Sequence, residues 1–253
     1  MRNCTNRVQC AAMISNLFHA TIYDPLYNGI IFFVGIVPSH DMGLAIIALT
    51  IVVRIIIFPL SSRAIKTQMA MKRIAPEVDA LKAKHKDNRE AQAKAIFALY
   101  KERGVRPFAS FGLVLIQFPV LIGLYWVFYA GGFPQVDPTL LYSFVQTPPS
   151  VNMEFLGLLD ISQRSLIVAL LAAATQLIYT RLSMGPRGQV TATEATLSGD
   201  MARSFDLQAR YVLPVIIGVI AYTIPAAAPL YWVTSNIFMI IQEYASGRRF
   251  NGA

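Results

Sequence analysis

The chain has 253 residues, of which 55% are hydrophobic and 14% charged, with a mean hydropathy of +0.49. Soluble domains carry about 25% charged residues, so this balance excludes a soluble enzyme or binding module and reads as an integral membrane protein. The net charge of +8 invites a nucleic-acid reading, but the basic residues lie between apolar segments, and no direct nucleic-acid recognition is expected.

Cys4 and Cys10 form neither a disulfide framework nor a spaced metal site. Residues 1–20 lack the clean apolar core of a cleavable signal peptide. Residues 14–37 are apolar but broken by His19, Asp24, Pro25 and Asn28. The uninterrupted part, 29–37, is too short to span, so an amphipathic interfacial helix within an external region 1–41 is expected. A broken sixth span is the alternative.

Residues 43–60, GLAIIALTIVVRIIIFPL, are apolar apart from Thr50 and Arg54. They form the first transmembrane helix, 42–60. Thr50 precedes Arg54 by one turn, so the two share a helix face. An arginine near the centre of a span costs about 2.5–3.5 kcal/mol on insertion scales and normally faces a bundle interior or a watery cavity. The plain structural readings are an arginine snorkelling to an interface or one paired with a buried carboxylate. Six residues, about 9 Å of rise, separate Arg54 from Leu60, which disfavours snorkelling. The other apolar segments are read as holding no acidic partner. The pattern therefore points to a hydrophilic site inside the membrane.

Residues 61–106 hold twelve Lys or Arg and five Asp or Glu. Ile65, Met69, Ile74, Val78 and Leu81 recur at near-helical spacing, as do Ile96, Leu99 and Tyr100. An amphipathic helical hairpin is expected over about 62–85 and 89–103, turning at 86–88 and closed by Gly104. It reads equally well as a docking surface for a charged partner and as a solvated hairpin that only fixes topology.

Residues 107–130 form the second transmembrane helix, with Gln117 and Pro119 inside it and Tyr125, Trp126 and Tyr129 as an interfacial belt. Gln117 fits a cavity wall or interhelical glue. Residues 131–163 carry no Lys or Arg and form an external loop whose apolar piece LLYSFV is expected to lie on the membrane. The third transmembrane helix, 164–182, contains Gln176. Residues 183–208 form a cytoplasmic loop. The run 211–242 is uncharged, and PAAAP divides it into a fourth transmembrane helix with its turn, 209–229, and a fifth with a short tail, 230–253.

Of 22 Lys and Arg, 18 fall in 61–106, 181–210 and the C-terminal tail. With five spans all three segments lie on one side, which the charge bias makes cytoplasmic. The N-terminus is then outside and the C-terminus cytoplasmic. The fold class is an all-α membrane protein, a five-transmembrane-helix bundle with an N-terminal interfacial helix and a cytoplasmic helical hairpin.

From about residue 23 onward the chain resembles the YidC/Oxa/Alb membrane protein insertases. The resemblance rests on VRIIIFPLS, on ALYKERGVRPFASFGLVLIQFPVLIGLYW, on FLGLLDIS in the external loop, and on YVLPVIIGVIAYTIPAAAPLYWVTSNIFMIIQEY. It implies a five-helix core around a hydrophilic groove open to cytoplasm and lipid and closed outside. It also implies a bacterial plasma-membrane location and no enzymatic activity, cofactor or metal. By the same resemblance Arg54 and Thr50 match groove residues, and Tyr231, Trp232 and Ser235 match substrate-contacting or groove-lining positions of the fifth span. Gln117 and Gln176 match polar positions of the second and third spans.

The implied partners are nascent membrane-protein substrates and the lipid bilayer, with a Sec translocon and the ribosome as further candidates. The chain departs from the family in showing no large outer domain, extra N-terminal span or lipobox. Its 183–208 loop is longer, and its tail lacks the long basic extension of some members.

Two rival readings follow from the residues. A small secondary transporter or channel would use Arg54 as an intramembrane substrate or anion site, but no inverted repeat is visible. An intramembrane protease would need an activated nucleophile. His19, His40 and His85 lie outside the five spans, no HExxH occurs, and no base accompanies Ser235.

Overall fold

The computed structural model describes residues 13, 15–86, 88–105, 109–184 and 207–247, the side chains of 109–118 and of 130 excepted. The expectations for most of the 183–208 loop and for the basic tail with Arg248 and Arg249 lie outside the described residues. The fold is that of a mostly helical membrane protein. Among the described residues two helices, Met42–Arg73 and Leu166–Met184, are long and apolar enough to cross a membrane, and Gln208–Thr223 is a shorter apolar stretch. Met1–Arg54 with Pro119–Ala253 forms one compact unit, and Ile55–Phe118 a second.

In the first unit, a π-helical turn His19–Tyr23 leads into α1, Asp24–Ile36. Tyr23, Leu26, Tyr27, Ile30, Ile31 and Val34 recur on one face at helical spacing, and all are buried. They join a core with Met42, Ala45, Ile46 and Leu49 of α2 (Met42–Arg73) and with Leu124 and Val127 of α5 (Ala109–Ala130). The other face of α1 leaves Phe32 and Ile36 exposed.

The sequence reading ended the first membrane helix at residue 60. The helix instead reaches Arg73, because 61–73 holds neither Gly nor Pro and is rich in helix formers. Its 32 residues rise about 48 Å against about 30 Å of hydrocarbon. The basic turns carrying Arg63, Lys66, Lys72 and Arg73 are therefore surplus to the span.

Buried polar side chains stitch the segment 131–163 to the bundle. Asn28 donates to the Leu140 carbonyl at 2.9 Å and accepts from the Tyr142 amide at 2.6 Å. Tyr27 accepts from the Asp137 amide at 2.9 Å. The Thr139 hydroxyl and amide hold the Asp137 carboxyl below its ordinary range. In LLYSFV, Val145 is buried and Leu141 packs on the core, while Leu140, Tyr142 and Phe144 are exposed. Among the described residues the only strands are β1, Glu154–Phe155, and β2, Leu159–Asp160, an antiparallel pair.

Among the described residues three further α-helices follow, α6 (Leu166–Met184), α7 (Leu213–Thr223) and α8 (Ala227–Ala245). A π-helical turn, Gln208–Val212, precedes α7. Helix α6 packs against both α7 and α8. Small residues allow the α6–α7 approach, since a Cβ on Gly218 would lie 2.9 Å from the Ala173 Cβ. Neither methyl can rotate away, so Gly218→Ala is expected to force the helices apart at a cost of about 1–3 kcal/mol. A lowered midpoint in detergent thermal unfolding checks this; an unchanged midpoint would mean that α6 and α7 part freely.

In the second unit, α3 (Ala75–Lys84) and α4 (Arg89–Glu102) share a small apolar cluster of Ile74, Val78, Leu99 and Val105. Asn88 caps α4 by accepting from the Ala91 amide at 2.9 Å. Gly104, at φ +63°, ends it. Arg103 meets Glu77 at 2.8 Å on the exposed side.

Candidate functional site

Around Thr50 and Arg54, helix α2 is inverted relative to a soluble helix. Thr50 and Arg54 are buried, while Ile51, Val52, Ile55 and Ile56 are exposed. A helix in lipid has this pattern, with its polar stripe turned inward. Thr50 donates to the Ile46 carbonyl at 2.6 Å within its own helix. Arg54 reaches across to α8. Its Nε donates to Ser235 Oγ at 2.8 Å, and its Nη2 donates to the same oxygen. Tyr231, one turn before Ser235, makes a further side-chain hydrogen bond to the guanidinium. Ser235 and Tyr231 bind through hydroxyls, which satisfy N–H donors and cancel no charge.

Helix α8 presents two neighbouring polar stripes. At about 100° per residue, Tyr231, Ser235 and Gln242 fall on one, and Trp232, Asn236 and Glu243 on the next. The second faces α6. Asn236 Nδ2 donates to Gln176 Oε1 at 3.1 Å and to Thr175 Oγ1 at 3.3 Å. Gln176 Nε2 in turn donates to Thr180 Oγ1 at 3.2 Å. Trp232 is half-buried and packs on the apolar core.

Of the site residues read from the sequence, Arg54, Ser235 and Tyr231 are brought together, and Gln176 joins them through Asn236 on the same helix. Thr50 shares the Arg54 face and Trp232 flanks it. The Gln117 side chain lies outside the described residues.

The sequence reading passed over Asn236, Thr175 and Thr180. Their signal was spacing: 175, 176 and 180 form one face of α6. It also held that the other apolar segments contain no acid. Glu243, 1% exposed, lies within α8 and corrects this. It was missed because it sits one residue beyond the uncharged run. Arg210, buried in the π-helical turn, was missed for the same reason at the other end. Among the described residues, no three His, Cys, Asp or Glu side chains gather to hold a metal.

Around Arg54 the arrangement is a strip of hydroxyls and amides, with the Glu243 carboxyl further along α8, buried between helices whose other faces are apolar. It can hydrogen-bond extended polar chain and attract negative charge.

Residues 32–252 match the family model described as 60Kd inner membrane protein. The chain is 28% identical over 205 residues to a membrane protein insertase YidC of Clostridium tetani, covering 81% of each. It is 26% identical over 209 residues to one of Methylobacillus flagellatus, covering 83% of this chain and 33% of that protein. To one of Neisseria gonorrhoeae it is 27% identical over 208 residues, covering 82% and 33%. The chain thus spans most of the Clostridium relative and about a third of the other two.

Proposed function

The chain belongs to the 60Kd inner membrane protein family, the YidC/Oxa/Alb group, and from that premise we propose that it is an insertase, releasing the apolar segments of nascent membrane proteins into the bilayer. It is a multi-pass inner-membrane protein. The observation that carries the reading is Arg54, buried in an apolar helix and held by hydroxyls of α8.

A substrate's polar tail must cross about 30 Å of hydrocarbon. The strip formed by Arg54, Thr50, Tyr231, Ser235, Gln176 and Asn236 lets that tail enter without full desolvation. Arg54 attracts acidic residues of the tail in a low-dielectric setting. Arg210 and Pro225 bound the apolar run of the fourth span, which is therefore short, so it thins the local bilayer and shortens the path. Burial of the substrate's apolar helix in lipid drives release, with no nucleotide or covalent step.

In this reading α2, α5, α6, α7 with its preceding turn, and α8 are five spans. The α3–α4 pair is cytoplasmic and the N-terminus outside. Nascent membrane proteins and lipid are its partners, with a Sec-type channel and the ribosome as further ones. The rival transporter reading draws no support from the relatives' names.

The test is insertion of a single-span substrate into vesicles holding the purified protein. A protease-protected fragment above that of empty vesicles is expected; equal amounts would contradict the proposal. Orientation is tested with single cysteines at Ser150 and Ala83 in a background lacking Cys4 and Cys10. An impermeant thiol reagent on intact cells is expected to label 150 and spare 83, and the converse would reverse the topology.

A further inference from the structure

The FLGLLDIS stretch plays no part in the proposed insertion path, yet it is tightly built. Its hairpin turns at Leu156 and Gly157, with φ of +55° and +67°. Such a turn favours Asn or Gly, and a leucine in this left-handed conformation is sterically disfavoured. The side chain it presents is nevertheless apolar. Leu158 beside it is 87% exposed and Leu156 58%.

The hairpin backbone is fixed at its turn and at its base. Asp41 Oδ2 accepts from the Leu156 amide at 2.7 Å. The Asn152 carbonyl accepts from the Met42 amide at 2.9 Å, and the Ile161 carbonyl from the Ala227 amide at 3.0 Å. The Phe155 ring lies so close to Gly43 that any Cβ there would collide with it. The hairpin is therefore held at the level where α2 and α8 begin. Five residues after Ile161, α6 begins with Leu166, Ile167 and Leu170, all exposed and apolar like a lipid-facing surface.

We propose that the Leu156–Leu158 tip is a membrane anchor that inserts into the leaflet where α2, α6 and α8 start. Two leucines are far too little for a protein interface, which needs about 1,200–2,000 Å². They suffice for lipid, because the spans already hold the chain at the membrane and no association entropy remains to be overcome. A second copy docking tip to tip would set the exposed Glu154 and Asp160 against their own equivalents. The hairpin itself holds no Lys or Arg, its charges being Glu154 and Asp160, so apolar insertion of the tip, and not attraction to anionic headgroups, supplies the contact. The proposal requires only that these helices enter a bilayer, so it stands or falls apart from the insertase reading.

The test is Leu158→Cys in the full chain with Cys4 and Cys10 changed to serine, labelled with an environment-sensitive fluorophore. The protein is reconstituted at low density in phosphatidylcholine vesicles with iodide on both sides. Ser150→Cys serves as the aqueous control. The label at 158 is expected to emit at shorter wavelength than at 150, to be quenched by doxyl-bearing lipid and to resist iodide. Leu156→Cys, whose replacement leaves the core untouched, is expected to behave alike. Quenching of both tip labels by iodide would place the tip in water, and resistance to both quenchers would place protein over it; either result overturns the proposal.

Discussion

Arg54→Glu is expected to be the most damaging single change in the protein. It removes the donors that bind Ser235 and Tyr231 and leaves a carboxylate among hydroxyls. Hydrogen bonds to a charged group contribute about 1.5–3 kcal/mol each, and an acid within a span costs a few kcal/mol more. It also repels an acidic substrate tail. Insertion of such a substrate should fall by more than about tenfold, a change of only about 1.4 kcal/mol in the step Arg54 assists. Arg54→Lys keeps the cation and loses the fork that lets Nε and Nη2 share Ser235. It should retain much of the activity. Arg54→Ala should leave a folded bundle. Insertion assays at equal expression, with thermal unfolding of each variant, check the ranking. A lysine variant as poor as the glutamate variant would mean that the fork, and not the charge, matters.

The second large effect is expected far from the polar strip. Asp41 is 3% exposed and opens α2. Its Oδ1 accepts from the Gly43 amide at 2.7 Å and the Leu44 amide at 3.1 Å, while Oδ2 holds Leu156. Removing a cap costs about 0.5–2 kcal/mol, and losing a buried charge-assisted bond about 1.5–3 kcal/mol. Asp41→Ala should therefore destabilise by roughly 2–5 kcal/mol. Asp41→Asn keeps an acceptor for the cap and should lose about half of that. Thermal unfolding gives the total, and amide exchange at Leu156 separates the hairpin tie from the cap. Slow exchange at Leu156 in the alanine variant would show that Asp41 does not hold the hairpin.

What could be read from the sequence was governed by contrast. Arg54 stood out because it is a charge in an apolar run, and Ser235 and Tyr231 because they lie in a stretch resembling the family. Asn236 offered no contrast, being an uncharged polar residue beside another. Its role appears only when α6 brings Gln176 opposite it. Asn28 was read only as an interruption of an apolar segment, and Asp41 was not singled out. Both are buried because partners more than a hundred residues away, Tyr142 and Leu156, complete their hydrogen bonds, and sequence spacing carries no trace of such pairs. The end of α2 was misplaced because a drop in hydropathy marks the edge of the membrane and not the end of a helix.

Arg54 acts on the substrate through its charge. The most direct measurement is protease protection of a tail series with zero, one and two aspartates, in vesicles carrying the native chain or Arg54→Ala at equal amounts. The alanine variant is expected to translocate the uncharged tail nearly as well as the native chain and to fall further behind with each aspartate. An equal loss for all three tails would contradict it and make Arg54 a structural residue of the bundle.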